Sequence, residues 1–300
     1  MKSIWYVLFL LVPVVFFGQP NTWMTSLEAA KRLSVVQDKM VLMIWEDATL
    51  EPLAVTFEDA EGNRVFIQDL YENEPLINLL RDYFILVKVN EYEYESLLEP
   101  LKNIGSTAYT TKFNDNSMKV LDANGYILNV NHTYYSTFLN LSSFILKYGI
   151  NTRFLKTELL NYRAQKNMVT ALRLGSKYID LAIYTEKAAR EEVVSLSTIY
   201  LEEVRRFLED DMSNNKLAII EKLDLLNIKQ ELILGHAKKV LRQLKRIGIR
   251  PSYGINKELM AFLYWTSYTI LGEEEQAVVW KSKVSLVNLK KAEQIISNSN

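Results

Sequence analysis

In SLEAAKRLSVVQDKMVLMIWEDATLEPL, Ser26 to Leu53, a helical pattern gives way abruptly to an unbroken apolar run. Between Thr25 and Val36 the apolar residues Leu27, Ala30, Leu33 and Val36 fall near helical spacing, and Thr25 or Ser26 can cap the first amides. A helix is expected there. From Met40 to Trp45 the run MVLMIW has strand length and no turn residue inside it, the pattern of a strand buried on both faces.

The pattern continues outward. Leu76 to Tyr83 is compatible with a helix and leads into a second apolar run, Phe84 to Val89. A third extended segment ends at Val120-Leu121, before the turn Asp122-Ala123-Asn124-Gly125. Tyr126 to Val130 resumes an extended pattern, so Asn124-Gly125 reads as a hairpin turn, and a helix follows from about Ser136 to Tyr148.

Residues 23–149 therefore resemble an exported thioredoxin-like domain. SLEAAKRLS, Ser26 to Ser34, is similar to that family's SLEEAKKLA, and VLMIW, Val41 to Trp45, to its LLMDF strand. LLRDYFILVKVN, Leu79 to Asn90, resembles LLNENFVPVKVD, and KVLDANGYIL, Lys119 to Leu128, resembles VFLDANGNVL. The resemblance puts Leu50-Glu51-Pro52-Leu53 where CGPC would open the next helix, and Asn116-Ser117 where the family has its cis-proline and threonine. The stretch VTFEDAEGNRVFIQDLYENEP, Val55 to Pro75, reads poorly as that helix. Glu61-Gly62-Asn63 looks like a turn, so a local insertion or hairpin is expected over the former active-site face.

These departures decide the chemistry. Redox work needs a thiolate of lowered pKa and a second thiol to resolve the mixed disulfide. The chain contains no cysteine, so it is not a thiol-disulfide oxidoreductase. No catalytic residue is assigned and no cofactor is expected. His132 and His236 are the only histidines, too few with no cysteine to suggest a metal site, and no G-x-S-x-G elbow supports a serine hydrolase.

From Asn151 the chain is poor in glycine, contains the single proline Pro251, and carries apolar residues at helical spacing, so residues 151–296 read as all helix. Two stretches resemble tetratricopeptide repeats. One is Leu174-Gly175 followed by Tyr178; the other is Tyr268 followed by LGEEEQAVVW, Leu271 to Trp280, with Ala277 at the small packing position. Trp265 and Lys187 depart from that pattern, and no period of about 34 residues is sustained. The fold class expected is an α/β thioredoxin-like N-terminal domain plus an all-α helical-hairpin, tetratricopeptide-like C-terminal domain.

A helix expected from about Gln230 to Ile247 gathers Lys238, Lys239, Arg242, Lys245 and Arg246 on one face, opposite Ile233, Leu234, Ala237, Val240, Leu241, Leu244 and Ile247. No acid occurs between Glu231 and Glu258. This face reads either as a solvated surface or as a docking surface for an acidic partner. Charge divides along the chain in the same sense, from −7 over residues 1–150 to +6 over residues 151–300.

Residues 1–18 carry Lys2, an apolar run from Ile4 to Phe17 broken by Pro13, and Gly18, the build of a secretory signal peptide. The run falls short of the roughly 20 residues that span a bilayer, so no membrane span is expected after cleavage, although retention as an anchor is an alternative. Export with the family resemblance implies a bacterial periplasm. It makes nucleic acid an unexpected partner and gives the glycan-like patterns Asn131-His132-Thr133 and Asn140-Leu141-Ser142 no weight. Glu91-Tyr92-Glu93-Tyr94-Glu95 reads as edge or loop alternation, and Tyr264, Trp265, Tyr268 and Trp280 as core. The function expected is non-enzymatic: a redox-inactive envelope scaffold for a protein partner, with Leu50 to Leu53 and the basic helix as contacts. The alternatives are a cysteine-free enzyme using Asp47, Glu51 and Asn116, and a structural subunit of an envelope assembly.

Overall fold

The computed structural model describes residues 23–104, 106–131, 138–247 and 254–299. The leader segment, His132 and the start of the helix expected from Ser136 lie outside these residues. An α/β region occupies the first half and an all-helical region the second.

Helix α1 (Leu27–Gln37) starts where Ser26 accepts the amide of Ala29 and ends at Asp38, whose backbone is left-handed with φ 58°. Strand β1 (Met40–Trp45) follows, with all six side chains buried. A hairpin of β2 (Val55–Glu58) and β3 (Arg64–Ile67) comes next, then α2 (Glu74–Tyr83) and β4 (Phe84–Val89). After α3 (Tyr94–Leu98) and α4 (Thr107–Asn114), β5 (Lys119–Leu121) completes the main sheet. Its order is β4-β1-β5, with β1 parallel to β4 and antiparallel to β5. Met24 bridges Val87 beyond β4, and Ile127 bridges Leu121 beyond β5.

The period of two splits β1 between two apolar layers. Met40, Leu42 and Ile44 join Leu80, Phe144 and Tyr148, while Val41, Met43 and Trp45 join Ala30, Tyr109 and Phe113. Each fully buried aliphatic side chain of this kind contributes about 1.5–3 kcal/mol.

Two expectations in this region need correction. Tyr126 to Val130 forms no full strand. The backbone pairs only briefly, Leu128 N–H with Val120 C=O at 2.7 Å and Asp122 N–H with Tyr126 C=O at 2.9 Å, and beyond that Oδ1 of Asn129 accepts the Val120 amide at 2.8 Å and its Nδ2 donates to the Met118 carbonyl in place of a longer ladder. The helix expected from Ser136 begins instead at Leu141. Leu139 and Asn140 form the short strand β6 beside β2, and the Asn140 side chain accepts the Ser143 amide to cap α5 (Leu141–Tyr148). The hairpin expected at Glu61-Gly62-Asn63 is present as β2–β3, with Gly62 at φ 82°. Of the edge and loop readings of Glu91 to Glu95, the loop holds: Glu91-Tyr92-Glu93 forms a 3-10 turn in which Asn90 accepts the Tyr92 amide, and Tyr94 packs on Trp45 and Phe113.

The helical region runs through α6 (Lys156–Ala164), α7 (Met168–Tyr184), α8 (Lys187–Glu209), α9 (Lys216–Ile233), α10 (Ala237–Ile247), α11 (Lys257–Ile270), α12 (Glu274–Lys281) and α13 (Leu286–Ser297). The single helix expected from Gln230 to Ile247 is broken at Gly235, whose φ of 87° ends α9 and frees α10 to start afresh. Gly175 lets α7 approach α8: a Cβ there would lie 2.9 Å from a methyl of Leu201. Tyr264, Trp265 and Tyr268 are buried, and Trp280 stacks on Tyr264. Among the described residues no helix is long and apolar enough to cross a membrane.

One hydrophobic cluster runs from Trp23 through Tyr148 and Tyr178 to Ile295, without a break near residue 150. Polar contacts reinforce the seam. Lys156 pairs with Asp38 at 2.9 Å, Arg163 with Glu28 at 2.8 Å, and Tyr148 donates to Glu192 at 3.0 Å.

Candidate functional site

Leu50, Glu51, Pro52 and Leu53, set at a redox motif only by the sequence resemblance, open no helix. Asp47 to Leu50 is a single 3-10 turn, and Glu51 and Pro52 continue it as exposed, irregular chain. Leu53 is half-buried; its amide donates to Asp69 Oδ1 at 3.2 Å and its carbonyl accepts the Leu70 amide. Leu50 is 80% exposed. It borders an open cavity of about 710 Å³ whose lining also includes Pro52, Phe66, Asp69 and Glu72. Neither Asn116 nor Ser117 lines that cavity.

Asn116 is exposed, and Ser117 belongs to a different cluster. Lys112 and Lys119 are both buried, and they converge on Asp115 and Ser117. Lys119 Nζ also donates to the carbonyls of Asp115 and Ser117 and lies 5.7 Å from the Trp45 ring. Burial pushes the Lys119 ammonium down to about 8, against the pull of the Asp115 carboxylate. Burial raises the carboxyl of Asp115, but Ser117 and the two lysines outweigh it and hold the group below its ordinary value.

Asp47 and Glu51 form no enclosed site with Asn116. The Asp47 amide is taken by Glu91, and Glu51 projects into solvent.

On α10 the faces fall as expected: Ala237, Val240, Leu241 and Leu244 are buried, and Lys238, Lys239, Arg242, Lys245 and Arg246 are exposed. Lys239 pairs with Glu231 at 2.7 Å, and Glu231 also holds Nδ1 of His236. Among the described residues no carboxylate lies within ion-pair distance of Lys238, Arg242, Lys245 or Arg246. Four cations thus face solvent along one helix.

Sequence reasoning missed the polar centre of the molecule. Asp122, the aspartate of the LDANG segment, is fully buried against the helical region. Its Oδ1 accepts the amides of Asn124 and Tyr126 at 2.8 and 2.9 Å, and its Oδ2 accepts the hydroxyls of Tyr178 and Tyr200. Asn124 Nδ2 donates to Tyr200 Oη at 2.8 Å, and the rings of Tyr178 and Tyr200 stack. Burial raises the pKa of Asp122, opposed by the hydrogen bonds it accepts, Tyr200 foremost. Beside it Tyr162 donates to Glu203, which also pairs with Lys166. The available signal was the adjacency of Leu174-Gly175 and Tyr178, read as repeat-like packing rather than as a hydrogen-bond donor aimed at another segment.

The exposed face of the β2–β3 hairpin was also missed. Phe66 and Phe138 are 54% and 57% exposed, and their rings meet edge to face at 4.8 Å. Comparison with family models, curated proteins and solved structures finds no match to this chain.

Proposed function

We propose that this protein is an exported, non-enzymatic binding protein: a thioredoxin-like domain with its redox positions overwritten, joined to tetratricopeptide-like helical hairpins, that holds a protein partner in the bacterial envelope. The thioredoxin-like reading is supported by the placement of the resembling segments. The helix and strand of SLEAAKRLSVVQDKMVLMIW, the strand FILVKV and the start of KVLDANGYIL all meet in one mixed sheet with β1 at its centre. The repeat-like reading rests on the close α7–α8 approach at Gly175 and on buried Ala277.

The observation that carries the binding role is Leu50, 80% exposed at the rim of an open cavity and close in sequence to a hairpin presenting Phe66. Leu50 and Phe66 line one cavity and Phe138 meets Phe66, and apolar residues grouped on the surface in this way commonly mark a contact for another molecule. The cationic face of α10 supplies a second contact. Quantitative capture from native envelope extract tests the role, with the full chain as bait, against Leu50→Glu and against Lys238→Glu/Arg242→Glu/Lys245→Glu. Loss of a specific protein on either variant is expected. Unchanged recovery of every captured protein on both variants would remove this function.

A further inference from the structure

Among the described residues, the hairpin beside Leu50 ends the smaller sheet at an unpaired edge. That sheet has the order β3-β2-β6, so β3 pairs on one side only. The Asp59 amide donates to the Asn63 carbonyl at 3.0 Å, which makes that pair a bonded one. Alternation along an antiparallel ladder then directs Val65 and Ile67 toward β2 and turns the amides and carbonyls of Arg64 and Phe66 outward. The edge is anchored. Val55 is fully buried, Ile67 packs on the main core, and the Glu58 amide donates to Ser142 Oγ on α5 at 2.9 Å.

Natural sheet edges are usually blunted by lysine, proline or a covering segment. Here Arg64 is the only charged residue of β3, and the strand presents Val65 and Phe66 with Phe138 beside it. The surroundings are strongly acidic. Residues 46–75 contain nine Asp and Glu against one Arg, a net charge of −8, so half of the acidic residues of the first half lie in this one segment. Asp69 and Glu72 line the cavity that adjoins Phe66.

We propose that the β3 edge takes up an extended segment of a partner protein as an added strand, and that this segment alternates apolar residues with lysine or arginine. Backbone hydrogen bonds to Arg64 and Phe66 supply the pairing, and side chains on one face of the added strand meet Phe66 and Phe138. Charge selects the occupant. A second copy of this chain pairing β3 to β3 brings two acidic segments together, which repel, whereas a cationic strand is attracted. The inference rests on the binding role assigned above to this face and specifies its partner.

Two synthetic heptapeptides, KVKVKVK and EVEVEVE, test it on the full chain by fluorescence anisotropy and amide hydrogen exchange. The lysine peptide is expected to bind, to weaken as salt rises, and to slow exchange at Arg64 and Phe66; the glutamate peptide is expected not to bind. Arg64→Pro removes one outward amide without touching the β2 ladder and is expected to weaken binding at least tenfold. Loss of the Arg64 charge alone strengthens binding of a cation, so Arg64→Gln is expected to bind as well as the native chain or better. A lysine peptide N-methylated at every backbone amide, which has no pairing edge on either side, probes the same β3 edge with native protein and is expected to lose at least tenfold in affinity. Equal binding of plain and methylated peptides, equal binding of the two charge types, or a dimer protected at Arg64 and Phe66 without peptide would overturn the proposal. If envelope capture is lost with Leu50→Glu while the lysine peptide shows no β3 protection, the binding role stands and the strand-addition mode falls.

Discussion

Tyr178 of α7 donates its hydroxyl to Oδ2 of Asp122 at 3.1 Å, across the seam between the α/β and helical regions. The aspartate also binds its own turn, through the amides of Asn124 and Tyr126, and receives a second phenol from Tyr200. One carboxylate therefore organises a turn in the first half and two helices of the second. Unpaired, the two buried hydroxyls would have no access to water.

Asp122→Ala is expected to destabilise the chain by about 3–5 kcal/mol, since it orphans two backbone amides and two hydroxyls together. Urea unfolding followed by both tyrosine fluorescence and far-ultraviolet circular dichroism checks it. The continuous core predicts that the two signals change together in the native chain. A loss below about 1 kcal/mol would contradict the accounting of the seam.

Burial raises the pKa of Asp122 above its ordinary value, and the sign of the pH effect follows. The folded chain holds this proton more tightly than the unfolded one, so the contribution is complete below the ordinary carboxyl pKa and is lost as pH rises through the folded value. Asp122→Asn is expected to remove that loss. The comparison is the slope of the urea midpoint against pH from about 4 upward.

Lys119 titrates oppositely to most paired lysines, because burial outweighs the pull of its partner Asp115. Its folded pKa is pushed down to about 8, below the unfolded value, so the unfolded chain binds more protons between these two values. Stability from this group therefore rises with pH from about 8 to about 10. Lys119→Met is expected to flatten the rise. Above about pH 10, buried tyrosines such as Tyr126, raised to about 12, reverse the trend because they ionise first in the unfolded chain.

Gly175→Ala gains about 1 kcal/mol of intrinsic helix propensity. The added Cβ would meet Leu201 Cδ2 at 2.9 Å and Tyr200 Cβ at 3.2 Å, so overpacking between α7 and α8 is expected to win. A net loss of about 1–2 kcal/mol in thermal or urea unfolding is the expected outcome. A net gain would mean that the helices slide apart without cost.

Arg242→Glu separates binding from folding on α10. It places a carboxylate four residues from both Lys238 and Arg246, converting two like-charge neighbours into attractive pairs worth a few tenths of a kcal/mol each. Thermal stability is expected to hold or rise slightly while capture of an acidic partner falls. A lower midpoint would make the capture result uninterpretable as a surface effect.

Much of the architecture could be read along the chain because its signal is local. MVLMIW is apolar at every position because both faces of β1 are covered, and the alternation of cations and aliphatics on α10 reports its two faces directly. The glycine at position 62 marked the β2–β3 turn. The extent of the strands was less legible, because the side chain of Asn129 and the pairing of Leu139 with Val55 settle it through partners distant in sequence.

What the sequence by itself determined is the absence of thiol chemistry, the first helix with the central apolar strands β1 and β4, and the concentration of positive charge on one helix face. These depend on residue type and spacing alone. Only the tertiary structure decided that Lys112 and Lys119, ordinary charged residues in the sequence, are buried on one carboxylate; that Asp122 joins the two halves through Tyr178 and Tyr200; and that β3, among the described residues, is an unpaired edge in an acidic setting. Burial and pairing depend on which surfaces meet when the chain closes on itself, and the polar groups caught there must find partners far along the chain because water is excluded.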